Sequence, residues 1–270
     1  MKKLIFMLLG FTILGYAETL QYQFPMLENI VYNVHVDGNA GWSSFDEKPV
    51  SFKVKADFRL ELLNLGESNG LYQIKLTARK SKILINNDVL EDISKSETEI
   101  SFCIPQVLVQ MDKNGKIYKT TTLKKGLINI APFFNILPAF PGEIKQGSKW
   151  VQKIESFNLP SGKVPQLEFT YIYEGKSGDN HRIRFLSNQT IKEITNQQDT
   201  EVKITGKNSS DGDIIFDSQK NILKKATGKI NLDMNYMFQV PDPDKKGKFI
   251  PVPMKTQINL NFSFNSIQTK

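Results

Sequence analysis

The sequence predicts an all-β protein built as an antiparallel meander of hairpins. Apolar and polar residues alternate along many segments, turns rich in Gly, Asn, Asp and Pro separate these segments, and almost no stretch has the period of an amphipathic helix. Each predicted strand therefore has one apolar and one polar face. Such strands form a sandwich or an open, curved half-barrel, and the sequence leaves these two alternatives open.

The first seventeen residues match a secretory signal peptide. Met1–Lys3 is positively charged, Leu4–Leu14 is apolar, and Gly15–Ala17 offers a small-x-small cleavage site before Glu18. We therefore expect residues 1–17 to be removed and the mature protein to be exported, to the periplasm or outside the cell. Loss of the two lysines lowers the formal net charge from +7 to +5.

The composition of the mature chain excludes several classes of protein. Cys103 is the single cysteine, so the chain cannot form an intramolecular disulfide, which favours a bacterial envelope over a eukaryotic secreted protein. The excess of lysine is not interleaved with stacking aromatic residues, so we expect no nucleic-acid partner. No apolar run is long enough to span a bilayer as a helix, and we expect no integral membrane protein after cleavage.

Several strands are predicted in the first half of the mature chain. Ile30–Val36 alternates, a Gly/Ser-rich turn is predicted over residues 37–44, and Val50–Leu62 is the cleanest strand of this half. A turn at Gly66–Gly70 leads into a return strand that begins at Tyr72.

Further along, Ile100–Ile104 reads as a strand, and Val107–Met111 reads as another that precedes an Asn-Gly turn. Leu127–Phe140 is different, because it is apolar without strict alternation and holds two prolines. This segment is predicted to be a short helix or an irregular, buried connector across a sheet edge or mouth.

The second half repeats the same kinds of signal. Leu167–Tyr173 is a predicted strand whose return strand includes Ile183 and Phe185, and a further turn is predicted at Asn208–Asp213. The last hairpin has the strictest pattern, with Ile230–Val240 and Met254–Phe264 each alternating between apolar and polar residues. The Pro-rich connection between them is predicted to belong to neither strand.

The two halves of the mature chain show related patterns. The turn at Gly66–Gly70 is echoed by Gly175–Gly178, and the Asp112 turn is echoed by the Asp217 turn. We therefore predict a single β-rich unit over residues 18–270, made of two related halves at about 18–140 and 141–270. The alternative is that any meander of hairpins contains such echoes.

The segment from Pro141-Gly142 to Gly147-Ser148-Lys149-Trp150, joined to hairpins that turn at Asp, resembles a family of uncharacterised exported bacterial β-rich proteins. The resemblance spans most of the mature chain, rests on short motifs and implies no activity. The predicted shape is also similar to that of periplasmic lipoprotein carriers, whose curved sheet holds acyl chains, which is an analogy of fold alone.

The residues offer few candidates for catalysis or metal binding. His35 and Asp37 share a strand face and are conceivable as a base and its orienting carboxylate, but no nucleophile elbow accompanies them. His181 has no companion for a metal site. The Asp pairs 211/213 and 242/244 have a spacing that suits calcium, but turn chemistry, in which Asp caps its own backbone, is the favoured interpretation of both. We predict no enzyme, no metal and no cofactor.

The sequence therefore favours an exported, non-enzymatic binding protein of the bacterial envelope. Its partner would be an apolar or lipid-like small molecule or a hydrophobic segment of an envelope protein. Trp42, in a predicted loop, is a further aromatic residue that could line a ligand mouth. The alternative is a structural or interaction module of the envelope with a filled core and no ligand. The residues predicted to bind the ligand are Phe133, Phe134, Phe140 and Trp150.

Overall fold

A computed structural model of the chain describes residues 17–44, 48–127, 137–154, 157–159, 162–197, 200–242 and 248–267. These residues form sixteen β-strands and no helix. The strands are β1 (Glu18–Thr19), β2 (Asn29–Ser44), β3 (Val50–Ser68), β4 (Leu71–Ile85), β5 (Asp88–Asp92), β6 (Gln106–Met111), β7 (Ile117–Lys124), β8 (Glu143–Ile144), β9 (Lys149–Ile154), β10 (Phe157–Leu159), β11 (Gly162–Val164), β12 (Leu167–Ser177), β13 (Asn180–Gln197), β14 (Thr200–Asp217), β15 (Ile222–Pro241) and β16 (Phe249–Ile267).

Twelve of these strands form one antiparallel sheet. Its order is β7-β6-β4-β3-β2-β16-β15-β14-β13-β12-β9, with β5 paired to β4. The remaining strands form the small pairs β1–β8 and β10–β11. Among the described residues β7 and β9 are the two edges and do not pair with each other, so the sheet is open. The predicted all-β, antiparallel class is confirmed.

One face of the sheet is apolar, and we call it the inner face. On β16 the even-numbered residues lie on it, and Phe262 and Phe264 are only 5% and 7% exposed. Residues that lie opposite one another on successive strands form rows across the sheet. The apolar rows of β16 continue across the neighbouring strands, because Phe262 lies opposite Gly228 of β15 and Val36 of β2. The alternation predicted for the last hairpin is therefore confirmed.

Both strands of this hairpin are longer than the sequence predicted, since they continue into the Pro-rich connection. Pro253 pairs with Met237, and Pro251 pairs with Gln239. The two prolines are two residues apart, so their missing N–H groups fall on the same side of the strand. Among the described residues β2 pairs with β16 only from Met254 onward, and a strand with one free side tolerates proline.

Two predicted turns are wrong, because each lies inside a long strand. β2 runs through residues 37–44, including Trp42, and β14 runs through residues 208–213. The glycines in these stretches allow close approach of the neighbouring backbone. A Cβ atom on Gly38 would lie 2.0 Å from the carbonyl oxygen of Asn259, and one on Gly212 would lie 2.2 Å from that of Thr227.

Two polar residues of the second wrong turn, Asn208 and Ser210, are buried on the inner face of β14. Asn208 Nδ2 donates to Ser187 Oγ over 2.9 Å, and Ser210 Oγ donates to Asn208 Oδ1 over 2.6 Å. Ser187 Oγ in turn donates to the carbonyl oxygen of Glu168 over 2.6 Å. This network forms where β12 diverges from β13, because these strands pair only from Thr170 onward. Side-chain hydrogen bonds there replace the backbone hydrogen bonds that β12 and β13 do not form with each other.

The strand predicted at residues 100–104 is also wrong. The segment is irregular, and a single bridge links it to Arg79 of β4. The backbone N–H groups of Phe102 and Cys103 donate instead to Glu91 Oε2, over 2.7 and 3.1 Å. A buried carboxylate thus takes up N–H groups that a sheet ladder would otherwise satisfy.

One end of the sheet is filled by an aromatic cluster, and we call it the packed end. The segment Leu20–Phe24 enters it with Tyr22, whose ring lies 5.4 Å from Phe140 and 5.3 Å from Phe216. The N–H of Tyr22 donates to the carbonyl oxygen of Lys113, in the β6–β7 turn. This end therefore gathers residues from both halves of the chain.

The two predicted halves are joined in one continuous sheet by the pairing of β2 with β16. Gly66 and Gly175 lie within β3 and β12, just before the hairpin turns that echo each other, and both have positive φ angles, of 128° and 115°. Both also coincide with a register shift in their hairpins. The internal duplication itself stays a prediction, as does the signal peptide, since residues 1–16 lie outside the described part of the chain.

Candidate functional site

The inner face changes from buried to partly exposed along the long strands. At the packed end the aromatic cluster covers it. Toward the other end of β2, β3, β15 and β16 the rows stay apolar but become partly exposed. The side chains that share this property are Trp42, Val50, Phe52, Phe238, Ile250, Val252 and Met254, which we call the inner apolar surface.

The strand register makes these side chains neighbours. Trp42 lies opposite Val50, and Phe238 lies opposite Val252. The rings of Trp42 and Phe52 meet edge to face, with their centroids 5.6 Å apart. Val50 is 41% exposed, although it belongs to the apolar face of its strand. A contiguous apolar surface that remains accessible on a folded protein is typical of a binding site.

The inner apolar surface is continuous with the core. Met254 and Phe238 pack against the buried cluster, and the rings of Phe238 and Tyr236 stack with centroids 6.2 Å apart. Phe238 of β15 is paired on both sides, with Val202 and Val252, whereas among the described residues β16 pairs with β2 only from Met254 onward. An apolar ligand would exchange water contact for contact with these side chains, and its gain would scale with the apolar area covered.

Two buried hydroxyl groups border the inner apolar surface. Tyr236 of β15 lies opposite Met254, and Thr256 of β16 lies opposite Trp42. Tyr236 is 1% exposed and Thr256 is 4% exposed. Burial raises the pKa of Tyr236 to about 12, so its hydroxyl is neutral and can donate a hydrogen bond at physiological pH.

The structure places the predicted ligand-binding residues elsewhere or does not describe them. Phe140 is 3% exposed and packs in the aromatic cluster, with its ring centroid 6.3 Å from that of Trp150. Trp150 stacks on Tyr171 at 5.5 Å. Both therefore lie at the packed end and away from the inner apolar surface. Phe133 and Phe134 lie outside the described residues, and the ligand role of all four stays a prediction.

The part of the Leu127–Phe140 segment that is described, residues 137–140, is irregular. Gln152 of β9 holds it: its Oε1 accepts a hydrogen bond from the N–H of Ala139, and its Nε2 donates to the carbonyl oxygen of Leu137. The N–H of Phe140 donates to the carbonyl oxygen of Asn114 over 2.7 Å. These bonds fasten the end of the segment between β9 and the β6–β7 turn.

His35 lies on the outer face of the sheet, between two carboxylates. Its Nδ1 is 2.6 Å from Asp57 Oδ1, and its Nε2 is 3.3 Å from Asp37 Oδ1. Ser263 lies opposite it on β16. Because both ring nitrogens face carboxylates, neither is free to take a proton from that serine, and the geometry of a catalytic triad is not assembled at this position.

His181 is fully buried at the packed end. Its Nδ1 is 2.8 Å from Tyr173 Oη and 3.4 Å from Glu18 Oε2, while its Nε2 has no hydrogen-bond partner among the residues that the structure describes. Burial lowers the pKa of His181, an effect that the nearby Glu18 opposes and Lys176 reinforces. The ring is therefore neutral near pH 7 and serves as a packed, hydrogen-bonded residue.

Within the described ranges, no three His, Cys, Asp or Glu side chains come close enough together to hold a metal ion. Asp213 belongs to a strand and forms an ion pair with Arg182 over 3.1 Å. Of the second predicted Asp pair, Asp244 falls outside the described residues. Also within the described part of the chain, no helix is long and apolar enough to cross a membrane.

The inner apolar surface was only partly visible in the sequence. The alternation of Val50–Leu62 identified the side of β3 that carries Phe52. Trp42 was missed as a strand residue, because the Gly/Ser composition around it favoured a turn. The available signal was the continued placement of Gly38, Ala40 and Trp42 at even positions, in phase with the strand before them.

Comparison with protein-family models finds no match, and comparison with curated proteins finds none either. Among solved structures, the chain is similar to lipovitellin, in a structure described as lipid–protein interactions in lipovitellin. The TM-score is 0.45 and the sequence identity is 10%, over 91% of this chain and 26% of the lipovitellin chain. This chain thus spans about a quarter of that protein, and its function has to be argued from its own residues.

Proposed function

We propose that this protein is an exported, non-enzymatic binding protein that holds an apolar, lipid-like ligand on the inner apolar surface. The observation that carries the proposal is that the apolar rows of β2, β3, β15 and β16 continue past the packed core and remain partly exposed. Val50 and Ile250 are about 40% exposed on the same face as the core, and a contiguous apolar patch of this kind is typical of a binding site.

The chemistry of this surface suits a flexible acyl chain. Trp42, Phe52 and Phe238 offer aromatic faces, while Val252 and Met254 offer aliphatic ones. Met side chains adapt to ligands of irregular shape. An apolar surface with few polar groups at its border is the usual form of a small-molecule site.

The chain has two tryptophans, which allow a direct test. Trp42 belongs to the inner apolar surface, and Trp150 belongs to the packed end. The probe is methyl stearate that carries a nitroxide quencher on its acyl chain. It should quench the fluorescence of the Trp150→Phe variant, which retains Trp42, and it should leave the Trp42→Phe variant unchanged. Unlabelled methyl stearate should reverse the quenching.

Other results would point elsewhere. Quenching of Trp150 with none of Trp42 would place the ligand at the packed end, beside Phe140. No saturable quenching of either folded variant would refute ligand binding, and the alternative, a structural or interaction module of the envelope without a ligand, would stand in its place.

Export is a separate part of the proposal, and it depends on the predicted signal peptide. Intact-mass measurement of protein from the native envelope should give a chain that begins at Glu18. A full-length species retained in the inner membrane would refute cleavage after Ala17.

A further inference from the structure

Tyr236 and Thr256 carry the two buried hydroxyl groups that lack a hydrogen-bond partner within the described part of the chain. The other buried hydroxyls of the core are satisfied. Tyr32 Oη, for example, donates to the carbonyl oxygen of Leu223 over 3.0 Å, and Tyr22 Oη donates to that of Pro138 over 3.2 Å. A buried hydroxyl without a partner costs about 1–3 kcal/mol, so two of them side by side require an explanation.

The two hydroxyl-bearing residues are diagonal neighbours on the inner face. Thr256 lies opposite Met234, two residues before Tyr236 on β15. Diagonal neighbours of this kind lie about 7–8 Å apart at their Cα atoms, close enough for both side chains to reach one small group. Both residues stand where the buried core meets the inner apolar surface, which begins with Met254 and Trp42 in the same two rows.

The charges in these rows restrict the ligand. No Lys or Arg occupies the described positions of either row across β13, β14, β15, β16 and β2. The charged residue that does occur is Glu193, which lies opposite Ile204, the partner of Tyr236. A carboxylate or phosphate would meet no cation at the described positions of these two rows and would be repelled by Glu193. An uncharged carbonyl oxygen needs only a hydrogen-bond donor.

We propose that Tyr236 Oη and Thr256 Oγ1 donate hydrogen bonds to the carbonyl oxygen of an uncharged acyl ester or amide, whose acyl chain lies along the inner apolar surface. This inference rests on the proposed function and names its ligand class. The hydroxyl pair selects and orients the ligand, and the aromatic and aliphatic side chains supply contact area.

The test uses displacement of phenylnaphthylamine, an uncharged fluorescent probe, by methyl laurate, laurate and dodecane. Wild-type protein should bind methyl laurate more tightly than either of the other two. Tyr236→Phe and Thr256→Val should each weaken methyl laurate binding about threefold to tenfold, as expected for one hydrogen bond. Neither variant should change the affinity for dodecane. Tyr118→Phe and Thr121→Val, both exposed on β7, are matched controls that should match wild type.

The outcomes separate the two proposals. If neither phenylnaphthylamine nor any laurate compound binds, the proposed function fails. If they bind, but the two variants keep wild-type affinity for methyl laurate, the hydroxyl pair is not the anchor and the proposed function stands. Tighter binding of laurate than of its ester would also overturn the ligand class. Thermal unfolding provides the folding control, because removal of an unpartnered hydroxyl should leave both variants at least as stable as wild type.

Discussion

The rings of Phe185 and Phe262 stack with their centroids 6.2 Å apart and their planes 15° apart, although β14 and β15 lie between their strands. The positions between them in the same row are Gly212 and Gly228. With no side chains there, the two rings extend over the glycines and meet. The bare backbone below them also lets the sheet curve toward its inner face.

A methyl group at Gly228 should disturb this contact. Its Cβ atom would lie 2.6 Å from Phe185 Cζ and 2.8 Å from the carbonyl oxygen of Asp211. We expect Gly228→Ala to cost about 1–3 kcal/mol of unfolding free energy, as overpacking usually does. Phe185→Leu should recover part of that loss in the double variant, measured by denaturant titration. Lys229→Ala, at the exposed neighbouring position, is the control, and an equal loss there would contradict the steric explanation.

Phe262 should contribute strongly to stability because it is buried under Phe185. We expect Phe262→Ala to cost about 3–5 kcal/mol. Asn261→Lys, one residue earlier and on the outer face, should change stability by less than about 0.5 kcal/mol. Urea titration of both variants measures the difference. Since a slip of one residue would exchange the two faces, similar effects would show that the register of β16 is wrong.

Glu91 should make the free energy of unfolding depend on pH in the acidic range. The carboxylate is 2% exposed and accepts hydrogen bonds from Ser81, Ser101, Phe102 and Cys103. Burial alone would raise the pKa of Glu91, but these four hydrogen bonds outweigh it and lower the pKa below its usual value.

The contribution of the Glu91 carboxylate to the free energy of unfolding is therefore complete above the unfolded-state pKa of about 4.3. It is lost as the pH falls through the lower folded-state pKa. Glu91→Gln should remove this acid dependence and cost about 2–4 kcal/mol at pH 7, because the amide group would face donors. Asp88→Asn, at an exposed position of β5, is the matched control for urea titrations at several pH values. Retention of the acid dependence in Glu91→Gln would exclude Glu91 as its source.

Cys103 should be unreactive in the folded protein. The thiol is fully buried, and burial together with the charge and hydrogen bonding of Glu91 raises the pKa of Cys103 to about 11. Because the thiolate is the reactive form, labelling by a disulfide reagent should be negligible until the protein unfolds. Thr121→Cys adds an exposed thiol on β7, so this variant should show one reactive thiol when native and two in denaturant. Two reactive thiols in the native state would contradict the burial of Cys103.

His181 should stay neutral at pH values where exposed histidines become charged. Its folded-state pKa lies below the ordinary value of about 6.5, chiefly because of burial. The unfolded chain therefore binds the proton first, and the stability due to neutral His181 is complete above about pH 6.5 and declines as the pH falls toward the folded-state pKa. A proton NMR titration, with the signal assigned by its absence in His181→Gln, measures the value directly. A midpoint at or above about 6.5 would refute it.

Period-two alternation was sufficient to predict the parts of the fold in which one face is buried. The last hairpin and the strands β3 and β6 follow from it, because burial of one face forces the alternation. Composition was a poorer guide. Gly38 and Gly212 were interpreted as turn residues. They lie within strands, at positions where the backbone of the adjacent strand leaves no room for a side chain.

The candidate site was harder to predict, because its residues become neighbours only through the register of the paired strands. Tyr236 and Thr256 are separated in sequence by the Pro-rich connection, and only the β15–β16 pairing brings them together. Likewise, Asn208 and Ser187 look like surface residues until their mutual hydrogen bond is seen. Phe140 was selected because it belongs to the apolar Leu127–Phe140 segment and Trp150 because it is aromatic, and the structure places both at the packed end.

The entry of the segment Leu20–Phe24 into the packed end has a consequence for the kinetics of folding. Asn221 Nδ2 donates to Gln23 Oε1 across 198 residues of sequence, and Asn261 Nδ2 donates to Asp37 Oδ2 across 224. Loops of this length close slowly, and contacts between distant residues lower the folding rate. The segment can contact Lys113 and Phe140 earlier, but its contacts are completed by Phe216 and Asn221, which lie in the last third of the polypeptide. We therefore expect the packed end to be completed late in folding.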